Sequence, residues 1–176
     1  MSPSELVTLV ERGYRQGSWH GPNLTGALRG LTAAQAAWRP QPGRHDIWEI
    51  AVHAAYWKYR VWRLLDEVNT DSFGVAGSDW FPRPQGRPVE RDWAADRALL
   101  DRWHERLIAA IAALAAGDLA VRPGKSERTR WDLITGAAAH DLYHAGQVRL
   151  LRRMMETPRG ARVATGRQRA RAKASR

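Results

Sequence analysis

Apolar residues recur at three- and four-residue steps through four stretches of the chain, and no stretch shows the two-residue alternation of a half-buried strand. The first stretch runs from about Ser4 to Gly30, with Leu6, Leu9, Val10 and Tyr14 at helical spacing and Leu24, Ala27, Leu28 and Leu31 in its second half. Ser2 or Ser4 can cap it, Pro3 suits its first turn, and Gly17 and Pro22 are points where it can break. Arg39-Pro40-Gln41-Pro42-Gly43 closes the region as a turn. A second helix is expected from Asp46, with Glu49 three residues on as a capping box, to about Val68. Its stripe is Ile47, Ile50, Ala54, Trp57, Val61, Leu64 and Val68. The third, about Val89 to Ala116, carries Trp93, Leu100, Trp103, Leu107, Ile111 and Leu114, with Gly117 as terminator. The fourth runs from about Thr129 to Met155 and ends before Pro158.

Four amphipathic helices and no strand predict an all-α fold, a four-helix bundle. Asn69 to Pro88 is a connection of about 20 residues, long enough to be functional or to cross the fold. A crossover between helices 2 and 3 makes those two parallel, giving the order up-down-down-up. Trp80 and Phe81 within that connection are placed to fold back over a pocket.

Composition adds three constraints. The 176 residues suit one domain, and nine tryptophans supply large flat side chains for a core or pocket. Trp48, Trp57 and Trp131 are assigned to the core. There is no cysteine, so any metal must be held by imidazole and oxygen. The net charge of +10 is concentrated at the C-terminus: residues 158–176 hold seven basic residues and no acid, while the remainder has 21 basic against 18 acidic side chains. Residues 1–157 are therefore expected to form the bundle and 158–176 a disordered basic tail. No apolar run reaches the roughly 18 residues that would span a bilayer. The N-terminus lacks a signal-peptide pattern, so the expectation is a cytoplasmic protein that does not engage membranes.

The chemistry-bearing residues are histidines. His140 and His144 in His140-Asp141-Leu142-Tyr143-His144 lie one turn apart, so their imidazoles stack on one helix face. His53 sits about 60° from Ile50 and about 40° from Trp57 around helix 2, on the buried stripe. In the expected topology, His53 and His144 lie about 10 and 17 Å from the neighbouring ends of their helices, a similar depth. Three inward histidines suit a three-ligand metal site with open positions; the alternative for each is a hydrogen-bonded core histidine. A zinc-protease motif has Glu as its second residue, and Asp141 stands there instead, so this chemistry is not expected. Asp141 is expected on the bundle flank or orienting an imidazole.

The segments Trp19-His20-Gly21-Pro22, His45 to His53, and His140 to Gln147 resemble those of the DinB-like superfamily, the damage-inducible metal-binding four-helix-bundle proteins. The resemblance covers about residues 5–155. It implies an up-down-down-up bundle in which His53, His140 and His144 hold a divalent ion, nickel or zinc in most relatives. It further implies a metal-dependent thiol S-transferase or a hydrolase acting on an electrophilic small molecule, with a low-molecular-weight thiol as co-substrate.

Further residues fall around this site. His20 is either an accessory acid or base or a histidine at a helix kink before Pro22. Gln147, one turn past His144, can touch a substrate or hold a ligand, and Tyr56 can line the cavity or pack in the core. His45 is expected at the surface or in the cap, and His104 has no partner at ligand spacing. The alternative function is a non-enzymatic metal-binding or stress-response protein whose basic tail binds nucleic acid. A tryptophan-rich bundle could also form a homodimer.

Overall fold

In the computed structural model, residues 1–17 and 19–156 are described; the tail expected from 158 onward lies outside them. Six α-helices and no strand are present among the described residues: α1 (Pro3–Tyr14), α2 (Leu24–Leu28), α3 (Ala33–Ala36), α4 (Ile47–Leu65), α5 (Glu90–Ala112) and α6 (Arg130–Glu156), with a 3-10 turn at Ala116–Ala120. The all-α expectation holds. The four long helices α1, α4, α5 and α6 pack together. The pairs Trp48–Trp93 and Lys58–His104 advance in the same sense, so α4 and α5 run together. Gly13 meets Ala138, which brings α1 against α6.

Local chemistry sets the helix ends. Ser2 caps α1 in a reciprocal box with Glu5, and Pro3 occupies its first turn. Asp46 caps α4 through the Glu49 amide at 2.8 Å. The Glu49 carboxylate does not close the expected box, binding Arg39 and His45 instead. The expected first helix, Ser4 to Gly30, is two pieces divided in the region of residues 17–22, and a third short helix follows it. Helix α1 stops at Tyr14, Asn23 caps α2 and Thr32 caps α3. Gly21 and Gly30 adopt positive φ between these pieces, backbone states that a continuous helix cannot contain.

The crossover connection is structured by aromatic burial. Phe73 and Phe81 are buried against each other and against Tyr56, and Arg83 pairs with Asp96 of α5. Trp48 lies in the core as expected, whereas Trp57 and Trp131 are exposed. On α6 the buried face includes three small residues, Ala137, Ala138 and Ala145. Such residues let helices approach closely, and Gly13 is the tightest point: a Cβ there would lie 2.9 Å from the Ala138 carbonyl oxygen.

Gly13→Ala should therefore destabilise the protein by about 1–2 kcal/mol, because overpacking against backbone exceeds the helix-propensity gain of about 1 kcal/mol. Denaturant unfolding of the two chains checks this, and an unchanged or higher midpoint would refute the close-approach argument.

Candidate metal centre

Helix α4 supplies His53 and α6 supplies His140 and His144, and the three imidazoles meet with their Nε2 atoms inward. His140 Nε2 lies 3.2 Å from His53 Nε2 and 3.0 Å from His144 Nε2. One ligand atom from each residue falls within 4.8 Å of the others, so the three form a group able to hold a metal ion. His53 and His144 are almost fully buried and His140 is partly so.

The outer nitrogens show which tautomer His53 and His144 take. His53 Nδ1 donates to the Asp79 backbone carbonyl at 2.9 Å, and His144 Nδ1 donates to Gln147 Oε1 at 2.7 Å. Both partners are acceptors, so each Nδ1 carries the proton and each Nε2 presents a lone pair. Burial, the largest effect, holds all three imidazoles below their usual pKa: His140 falls to about 3 and His144 to about 4, with neighbouring imidazoles adding to the depression. The Nε2 lone pairs of His53 and His144 both face His140, whose Nε2 either donates a proton to one of them or joins them in holding a cation. Nitrogens 2.0–2.1 Å from a tetrahedral ion stand about 3.3 Å apart, close to the spacings observed here. The donor set therefore fits a divalent ion.

Asp79 and Gln147 orient the ligands. Asp79 adopts a positive φ of 62°, which directs its carbonyl to His53 while its carboxylate accepts from Trp57 Nε1 at 2.9 Å. Gln147 also donates to the Tyr143 hydroxyl at 2.9 Å. Trp80 of the crossover lies between two histidines, its ring centroid 3.8 Å from His53 and 3.6 Å from His45, nearly parallel to both. The histidines open onto a cavity of about 670 Å³ whose walls include Trp80, Tyr143, Gln147, Arg44, Ile50 and Met154.

The structure thus brings together His53, His140, His144 and Gln147, with Trp80 over them. His20 is elsewhere: it sits on an exposed turn with Trp19 as its ring neighbour. Tyr56 packs with Phe73 and Phe81 and lines a different recess, with Arg60 at 3.3 Å from its hydroxyl. Asp141 faces neither the flank nor an imidazole but pairs with buried Lys58 in the bundle interior. His45 is exposed at the start of α4 as expected, and sequence reasoning missed its stacking on Trp80, 35 positions away, and the burial of His104 near Lys58. Lys58 itself had a signal: it interrupts the inward stripe of α4 with a charge.

Without metal, these imidazoles should make the fold acid-sensitive. The unfolded chain binds protons below pH about 6.5, but folded His144 and His140 do so only near 4 and 3. Their contribution is complete above pH about 6.5 and is lost as pH falls through the folded values, at most about 1.4 kcal/mol per pH unit for each. Denaturant midpoints of apo-protein should fall between pH 6.5 and 4.5 and fall less steeply in a His140→Ala/His144→Ala variant. Equal slopes would show that these rings are not held neutral.

Replacing the acceptor on His144 tests the outer hydrogen bond. Gln147→Leu should weaken Zn²⁺ binding by about 10–100-fold with little change in fold. Unchanged affinity would mean that Gln147 does not orient the ring.

A sequence model of the DinB superfamily matches residues 16–148, whereas no curated protein and no solved structure matches. That span covers most of the chain and contains all three histidines, and the protein belongs to the DinB superfamily.

Proposed function

We propose that the protein binds a divalent metal through His53, His140 and His144 and uses it to add a small thiol, or water, to an electrophilic small molecule. The observation that carries the reading is the convergence of three uncharged imidazole nitrogens on the wall of a cavity. A divalent ion there would supply Lewis acidity, lowering the pKa of a bound water or thiol so that it can act as a nucleophile. Nickel and zinc both suit an all-imidazole donor set.

The chain's own residues do the rest. Asp79 and Gln147 keep the two anchored rings in the metal-binding tautomer. Trp80 stacks on His53 and shields it from water. Ile50 and Met154 give the cavity an apolar wall, and the Tyr143 hydroxyl and Arg44 give it polar contacts for substrate. With His20 exposed on a turn and not among the cavity's lining residues, proton transfer falls to solvent or to groups on the cavity wall such as Tyr143.

Elemental analysis of natively purified protein should find about one equivalent of divalent metal, by the one-site donor count. Screening the metal-loaded protein with low-molecular-weight thiols and electrophiles should give turnover that His53→Ala abolishes. Stoichiometric metal without turnover would favour a non-enzymatic metal-binding role. Absence of metal, with zinc affinity unchanged by replacing all three histidines, would overturn the metal reading itself.

A further inference from the structure

Beneath the histidines lies a buried polar layer to which all four long helices contribute. Asp141 of α6 and Lys58 of α4 form an ion pair, both with almost no exposure. Lys58 Nζ is also 3.4 Å from His104 Nδ1 of α5 and 4.5 Å from the centroid of the Tyr14 ring of α1. Tyr14 stacks on His104 at 3.9 Å, and His104 Nε2 is 3.5 Å from Glu11 of α1. The proposed chemistry uses none of these groups.

Stability alone is a poor reason for such a layer. A buried ion pair offsets its desolvation only with good geometry and full hydrogen bonding, and an apolar pair of similar volume often does better. Here Asp141 Oδ1 and His104 Nε2 lack hydrogen-bond partners. The best-attested use of such a pair is to fix register.

The packing around it shows why register needs fixing. Between Ile134 and Val148 the buried residues of α6 are Ala137, Ala138, Asp141, His144 and Ala145. The neighbouring stretch of α4 also places buried Ala51, Ala54 and Ala55 around His53, among the larger Ile50, Val52 and Tyr56. Alanine surfaces have shallow ridges and resist rotation or sliding weakly. Asp141 falls near the middle of the buried arc of α6, with His144 and His140 about 60° and 100° around from it. Whatever holds Asp141 inward therefore aims both imidazoles at His53.

We propose that Lys58 and Asp141 are positioning residues for the metal centre: their ion pair sets the rotation of α6 against α4 that brings His140 and His144 to His53. The proposal rests on the metal-binding reading above. It predicts a separation between stability and metal affinity. In Lys58→Met/Asp141→Leu, an apolar pair replaces the charges, so the fold survives while the register loosens.

The test compares the apo thermal midpoint and Zn²⁺ affinity, measured by competition with a chromophoric chelator, in the full chain and its variants. The double variant should melt cooperatively, within a few degrees of the parent or above it, and bind Zn²⁺ at least tenfold more weakly. Asp141→Asn keeps the shape and an acceptor for Lys58, and should stay within about threefold of the parent. Wild-type affinity in a folded double variant would overturn the proposal and leave the pair a merely structural one. A loss in Asp141→Asn as large as in the double variant would also overturn it, in favour of a direct effect of the carboxylate charge. Should the double variant fail to fold, Lys58→Arg decides: its forked head displaces the pair, and a cooperative melt with unchanged zinc affinity would overturn the proposal. Failure of the parent chain to bind Zn²⁺ would instead refute the underlying metal reading.

Discussion

Three imidazole nitrogens from two helices meet at 3.0 and 3.2 Å, with the Nε2 lone pairs of His53 and His144 turned toward His140. Much of the surrounding structure can be understood as what enforces this convergence. Acceptors behind His53 and His144 hold the proton on Nδ1, and burial keeps the rings uncharged. Both leave the Nε2 atoms of His53 and His144 free to accept a metal ion.

The small residues of the bundle and its buried charges are complementary. Alanines on α4 and α6, with Gly13 against Ala138, allow the close approach that the histidines require. The same smoothness leaves the helix rotation weakly specified by shape. Lys58 and Asp141 supply a directional contact where the apolar core supplies none. The crossover acts from the other side, where the left-handed backbone at Asp79 and the Trp80 ring hold His53 from above.

The helices and the grouping of the three histidines were readable in the sequence because both depend on local periodicity. An i,i+4 histidine pair on an apolar stripe declares a shared face, and the capping signals at Ser2 and Asp46 are local as well. The long crossover announced Trp80 by its length alone. What the sequence concealed depends on partners far along the chain. The stacking of His45 on Trp80 joins positions 35 apart, and the pairing of Asp141 with Lys58 joins positions 83 apart. The first helix was overextended because its apolar spacing continues past Tyr14 into α2, although Gly21 divides it. His20 looked close to the site on a continuous helix and moves away once that helix is broken.

Membership of the DinB superfamily fixes the fold and directs attention to the histidines, while the substrate must come from the cavity they open onto. The central claim is that a divalent ion sits among His53, His140 and His144. X-ray absorption at the metal edge of the zinc-loaded chain tests it most directly. The account predicts a nitrogen and oxygen shell at about 2.0–2.1 Å with outer-shell scattering from three imidazoles. A shell with one imidazole or none, or a spectrum unchanged by replacing all three histidines, would contradict it.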